Sequence, residues 1–222
     1  MKLIEYADTE MMMIDLANTL AGEINAALTH EDRVSVALPG GRTPGPLYDD
    51  LCGTSLDWDR VRILPTDERL VGPDHPRSNE GMLRARLLTG AAAQARFVGL
   101  RPGADGMAGL ADRVARALPL NVLVLGMGED MHTASLFPGA PELESALAPD
   151  APPVMQITPP DQPEPRITLT APVLRAALST HILITGAAKR AALERAAALA
   201  DPQRAPIALV LKGATVHWTE EE

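Results

Sequence analysis

The chain has 222 residues, 20 basic and 29 acidic for a net charge of −9, with 46% hydrophobic residues and one cysteine, Cys52. That length suits one large domain over residues 1–222, and the acidic balance argues against a nucleic-acid surface or an anionic membrane as partner. A single cysteine excludes an internal disulfide and a zinc-ribbon site, and no run approaches the roughly 18 apolar residues of a membrane span.

Glu5, Asp8, Glu10 and Asp15 break up the apolar residues that follow Lys2, so no signal peptide is expected and the setting is read as cytoplasmic. Asp8 or Thr9 can cap a helix that carries Met13, Leu16, Leu20, Ile24, Ala27 and Leu28 at helical spacing. Val34–Leu38 reads as a strand, and Pro44 opens a helix through Leu51. Val61–Leu64 is a second strand, followed by the polar Thr66–Arg69, and Ser78 can cap a helix from Asn79 to Leu88. A helix over Ala108–Leu118 leads into Val122–Leu125, a fully apolar run that reads as a buried strand. Val154–Ile157 and Arg166–Leu169 follow as strands, and His181–Ile184 ends at Gly186 before an alanine-rich helix that includes Leu193–Leu199. Ile207–Leu211 and Thr215–Trp218 read as final strands separated by a tight turn at Lys212-Gly213. Strands alternating with helices predict a doubly wound, mainly parallel α/β sheet with helices on both faces. The proline-rich stretch from Pro149 to Pro165 reads as a long ordered loop or lid.

Several loops after these strands carry chemistry. Beyond Val122–Leu125 the chain breaks at Gly126-Met127-Gly128 and delivers Asp130 and His132 where ligands bind in open α/β sheets. The same pattern also fits a turn with a surface histidine. Pro39-Gly-Gly-Arg-Thr-Pro44 lies between a strand and a helix, where Gly40, Gly41 and the Thr43 hydroxyl can meet an anion. It is neither a Walker loop nor a dinucleotide fingerprint. Asp67-Glu68-Arg69 lies past a strand, Arg166 sits at a loop-to-strand junction, and Lys189 occupies a first helical turn after Gly186. Each of these also fits a solvated position. His30, His75, His181 and His217 belong to no motif and are read as structural or surface residues. No metal-ligand pair of histidines and no Gly-x-Ser-x-Gly elbow is present, so neither a metal nor a serine nucleophile is expected.

Together these segments resemble the 6-phosphogluconolactonase family. The likeness rests on Pro39–Pro44 with Leu47-Tyr48, and on Asp67-Glu-Arg-Leu-Val71 with Asp74-His-Pro76, Ser78-Asn79 and Gly81-Met82. Gly126–Asp130 with His132–Pro138, Arg166–Leu174, and Thr185-Gly186 with Lys189 complete it. The resemblance implies a three-layer fold shared with glucosamine-6-phosphate deaminases and ribose-5-phosphate isomerases. It implies hydrolysis of 6-phospho-D-glucono-1,5-lactone in the oxidative pentose phosphate pathway, with no metal or organic cofactor, in a monomer or small homo-oligomer. On that reading His132 is the base, since an imidazole with a reference pKa near 6.5 is largely neutral at cytosolic pH. Asp130 orients or stabilises it, and Arg69 meets either the oxyanion or the phosphate. Gly40, Gly41, Thr43, Arg166 and Lys189 hold the 6-phosphate, with Arg42 a further binding candidate in the same loop, and Asp67 positions a sugar hydroxyl. Met131 stands where the family has glycine, which costs about 1 kcal/mol or more if the position needs positive φ. The competing readings are an isomerase or deaminase on the same fold, and a non-catalytic sugar-phosphate sensor. Against the deaminase, Phe137 stands where that enzyme carries a glutamate.

Overall fold

The structure, a computed structural model, describes residues 1–160 and 164–221. In chain order it runs through β1 (Lys2–Tyr6), α1 (Thr9–Leu28), β2 (Val34–Leu38), α2 (Gly45–Cys52), β3 (Val61–Pro65), β4 (Asp67–Arg69) and α3 (Asn79–Arg86). It continues through β5 (Arg96–Phe97), α4 (Gly106–Ala115), β6 (Val122–Leu125), α5 (Leu143–Leu147), β7 (Val154–Ile157), β8 (Arg166–Leu169), α6 (Ala171–Arg175), β9 (Ser179–Thr185), α7 (Ala187–Leu199) and β10 (Thr215–Thr219).

The expected parallel sheet is present, with seven strands in the order β1-β10-β9-β6-β2-β3-β5. Every neighbouring pair in it is parallel. Successive side chains along a strand point to opposite faces, and the core divides accordingly. Val34, Val36, Leu38, Val122 and Val124 join one cluster with Leu16, Leu20, Ile24, Leu47 and Leu83 from the helices on that side. Ala37, Leu123, Leu125, Ile182 and Ile184 join the other, with Leu110, Val114, Val173 and Leu193. The result is three layers, each buried side chain of Leu or Val size contributing roughly 1.5–3 kcal/mol.

From β2 the chain winds outward to β3 and β5, whereas from β6 it winds the other way to β9 and β10. The reversal opens a crevice between the ends of β2 and β6, and the glycine loop and the His132 loop both leave from there.

Three features depart from expectation. Ile207–Leu211 is not a strand: Pro206–Leu209 forms a 3-10 turn, because a short apolar run shows only that a segment is buried. The polar Thr66–Arg69 stretch contains β4, which joins β8 and β7 in a separate antiparallel sheet in the order β4-β8-β7. Within the proline-rich stretch Val154–Ile157 forms β7, as expected; its residues 161–163 lie outside the described residues.

β1 was not expected, and a polar chain centred on the buried His181 and His217 fastens it. The Tyr6 hydroxyl donates to Asp15 at 2.6 Å and lies 2.9 Å from His217 Nδ1. His217 Nε2 is 3.0 Å from His181 Nδ1, and His181 Nε2 is 3.1 Å from Glu23. Burial, reinforced by the neighbouring His181, pushes His217 down from 6.5 to about 4. The unfolded chain therefore binds a proton at this residue between about pH 6.5 and 4 that the folded one refuses, so its contribution is present above 6.5 and lost as pH falls. Between pH 7 and 4.5 the wild type should lose about 2 kcal/mol more stability than His217→Gln. Urea unfolding of both proteins at the two pH values checks this; equal losses would refute it.

Candidate active site

A cavity of about 260 Å³ lies in the crevice, lined among others by Gly40, Gly41, Thr43, Asp67, Arg69, His132, Arg166 and Lys189. Residues far apart in the chain thus meet at one place. Asp130 does not line it but holds His132 from behind. Arg42 is exposed and faces an adjoining recess of about 590 Å³ with Arg69, Arg77 and Arg86.

The glycine loop is shaped by a close approach. A Cβ at Gly40 would collide with the Asn79 side-chain amide, so only glycine lets the start of α3 touch this loop. Pro44 caps α2 without a side-chain hydrogen bond, and Thr43 lines the cavity just ahead of it. Lys189, in the first turn of α7, lies in the same wall.

The small antiparallel sheet supplies the arginines. Arg69 on β4 stands directly across from Arg166 on β8, and Asp67 across from Thr168. Residues directly opposite share a face, so Arg69 and Arg166 bring two positive charges to the same side of the small sheet, with Asp67 and Glu164 as nearby opposite charges. Arg166 is 2% exposed, and burial followed by the nearby Arg69 charge holds it below the usual arginine value. Arg69 Nη1 donates to the Arg77 carbonyl and to Asn79 Oδ1, both at 2.9 Å. Its Nε is buried without a partner among the described residues.

Glu68, on the opposite face of β4, is wholly buried. It accepts from the backbone N–H groups of Arg69, Asn79 and Glu80, each at 2.8 Å, and so ties the start of α3 to β4. Arg101 adds an ion pair at 3.3 Å.

His132 follows β6 on a tightly wound loop. Its Nδ1 lies 2.6 Å from Asp130 Oδ1, and its backbone N–H donates to the same oxygen at 3.2 Å. Burial works to raise the Asp130 carboxyl, but the His132 ring and backbone N–H outweigh it and hold the group below the ordinary carboxylate range. An ionised carboxylate only accepts, so Nδ1 carries a proton, and in the neutral imidazole the lone pair is therefore on Nε2. The Phe137 ring packs beside the imidazole with centroids 4.5 Å apart. A Cβ at Gly128 would collide with both His132 and Asp130, so the pair folds over a residue that must be glycine. Met131 takes φ 67, the left-handed region in which a side chain is strained. Its backbone is held on both sides: its N–H donates to Gly128 at 2.9 Å, and its carbonyl accepts from Ile207 at 3.1 Å. The Pro206–Leu209 turn thus serves to clamp this loop.

Asn79, Ser135 and Glu68 fall within the segments that carry the resemblance, but the sequence assigns them no role; a further local signal is Ser78 as a helix cap, whose side chain accepts from Gly81 N–H. No group of three or more His, Cys, Asp or Glu that could hold a metal ion occurs among the described residues. Likewise no helix among them is long and apolar enough to cross a membrane.

An imidazole–carboxylate pair on the same crevice as arginine, lysine and a glycine loop is an α/β site whose side chains suit a small anion and proton transfer. The sequence profile described as glucosamine-6-phosphate isomerases/6-phosphogluconolactonase matches residues 7–218. A 6-phosphogluconolactonase of Pseudomonas aeruginosa is 40% identical over 210 residues, covering 91% of this chain and 88% of that protein. The crystal structure of a 6-phosphogluconolactonase from Shewanella baltica superimposes with a TM-score of 0.93 at 31% identity, covering 98% of this chain and 97% of that one. A monomeric glucosamine-6-phosphate deaminase shares the fold, with a TM-score of 0.81 at 17% identity over 99% of this chain and 97% of the other. The chain belongs to the glucosamine-6-phosphate isomerase/6-phosphogluconolactonase family.

Proposed function

We propose that this protein hydrolyses 6-phospho-D-glucono-1,5-lactone to 6-phospho-D-gluconate, in the cytoplasm, as a step of the oxidative pentose phosphate pathway. The observation that carries the reading is the His132–Asp130 pair, which leaves Nε2 as a free base on a cavity lined by Arg69, Arg166 and Lys189. His132 Nε2 takes a proton from water as the water oxygen attacks the lactone carbonyl carbon. The negative charge that develops on the carbonyl oxygen meets the edge of Arg69 left open by Asn79 and Arg77. The tetrahedral intermediate then collapses, the ring C–O bond breaks, and His132 returns its proton to the departing ring oxygen. Gly40, Gly41, Thr43, Arg166 and Lys189 hold the 6-phosphate, so binding of a remote dianion fixes the carbonyl relative to His132. Asp67 works from inside the wall, since both its oxygens are already hydrogen-bonded to protein side chains.

Phe137 beside the imidazole supports hydrolysis over amino-sugar ring opening, because it places an apolar ring where a deaminase needs a second acid. The test compares fresh 6-phosphogluconolactone, unphosphorylated gluconolactone and glucosamine 6-phosphate, with spontaneous hydrolysis subtracted. The expected result is turnover of the phosphorylated lactone, with kcat/KM at least about 100-fold lower for its unphosphorylated counterpart, and no ammonia from the amino sugar. Ammonia release, or equal rates on the two lactones, would overturn the assignment.

A further inference from the structure

The His132 loop and the strand bearing Arg69 come from distant parts of the chain, yet one buried hydrogen-bond chain joins them. The Ser135 hydroxyl, three residues beyond His132, donates to Asp67 Oδ2 at 2.6 Å. Asp67 Oδ1 accepts from Asn79 Nδ2 at 3.3 Å, and the Asp67 carbonyl accepts from the same nitrogen at 2.7 Å. Asn79 Oδ1 in turn accepts from Arg69 Nη1 at 2.9 Å. Every link is shielded from water: Ser135 is 0%, Asn79 1% and Asp67 8% exposed.

The chemistry of each link dictates the next. A carboxylate only accepts, so Asp67 requires the NH2 end of Asn79 and thereby turns the amide oxygen towards Arg69. A flipped amide would set oxygen against carboxylate and NH2 against guanidinium. Ser135 has no such freedom either, because its backbone N–H donates to Thr168 Oγ1 at 3.1 Å while its hydroxyl reaches Asp67. Thr168 is the residue directly across from Asp67, so both contacts land on one cross-strand pair. The contact between Asn79 and Gly40 brings the phosphate loop against the same side chain.

We infer that Ser135 and Asn79 are positioning residues that act through Asp67 to hold the base-bearing loop and Arg69 in one rigid frame. Neither needs to touch the substrate. The inference rests on the lactonase reading for its kinetic consequence but not for its structural one. Loss of either link lets Arg69 relax away from the developing oxyanion, which lowers kcat; without Ser135, phosphate recognition by Arg166, Lys189 and the glycine loop leaves KM in place, whereas loss of Asn79 also frees Gly40 and raises KM. Because the two residues act on the same carboxylate, their effects do not combine independently.

The test is a double-mutant cycle with Ser135→Ala and Asn79→Ala, read by kcat and KM and by the Arg69 Nε–H signal in nitrogen-15 spectra, assigned through its disappearance in Arg69→Lys. Each single variant is expected to lose about tenfold or more in kcat, with KM within about threefold for Ser135→Ala and raised for Asn79→Ala, and the kcat of the double variant to be little below that of the less active single. Ser135→Ala is also expected to shift or broaden the Arg69 signal, although Ser135 makes no hydrogen bond to Arg69. If Asn79→Ala does not fold, the near-isosteric Asn79→Asp breaks the same link by repelling Asp67. Losses that multiply, or an Arg69 signal untouched by Ser135→Ala, would each overturn the inference. Should the wild type fail to turn over the lactone, the functional reading falls and the nitrogen-15 comparison alone decides this one.

Discussion

Replacing His132 with Gln is expected to lower kcat on 6-phosphogluconolactone by about 10²–10⁴ while leaving KM within a few-fold. Glutamine fills similar space and can still meet Asp130, so the loop over Gly128 has no reason to rearrange. What it lacks is a nitrogen able to accept a proton and return it. The lactone carbonyl is already strained and activated, which places the loss towards the lower part of that range. Asp130→Asn should fall short of the same loss, because it removes only the group that fixes the proton on Nδ1, now held at 2.6 Å. Steady-state rates with the spontaneous reaction subtracted, alongside circular dichroism to verify folding, check both. Near-normal turnover by His132→Gln would remove this residue from the chemistry.

Replacing Arg166 with Met is expected to act on the other parameter, raising KM for the phosphorylated lactone by roughly 10- to 100-fold, the worth of a charge-assisted hydrogen bond to an anion. Arg166 lies across from Arg69, with its charge disfavoured by burial and by that neighbour. If the 6-phosphate binds here as proposed, it offsets both costs, and ligand and arginine stabilise each other. In thermal unfolding, 6-phosphogluconate should raise the midpoint of the wild type and raise that of Arg166→Met much less at the same concentration. Equal KM values and equal ligand-induced shifts would show that the phosphate sits elsewhere.

The core of this fold is legible in the sequence wherever burial is two-sided. Val122–Leu125 and Val34–Leu38 announce themselves as apolar runs because helices cover both faces of the sheet there. β1 is not legible, since as an edge strand it keeps Lys2 and Glu5 exposed and depends on β10 for its conformation. The Ile207–Leu211 stretch shows the converse, being apolar for burial's sake and turned by its context, with Pro206 opening the turn. β4 looks polar because Asp67 and Arg69 face the cavity, and nothing local reveals that Thr168 and Arg166 complete it.

The same contrast holds at the site. His132, Asp130 and the glycine loop can be read because each needs a local pattern: a strand end, a glycine and a polar residue within a few positions. The positive φ of Met131 follows from the turn those glycines begin. Arg42 sits in the right motif yet points into the neighbouring recess, since loop sequence does not set side-chain direction. Glu68, Asn79 and Ser135 lie inside recognisable motifs, but their roles cannot be read there, because their partners lie on other elements and hydrogen bonds across such distances have no sequence period.

This cavity is expected to open a phosphorylated lactone with His132 as its base. The most direct measurement follows freshly made 6-phosphogluconolactone by carbon-13 NMR, with wild type, with His132→Gln and with buffer alone. The expected result is rapid conversion of the lactone carbonyl signal to that of the 6-phosphogluconate carboxylate with wild type, and decay near the buffer rate with the variant. Decay at the buffer rate with wild type, or equally rapid conversion by both proteins, would contradict it.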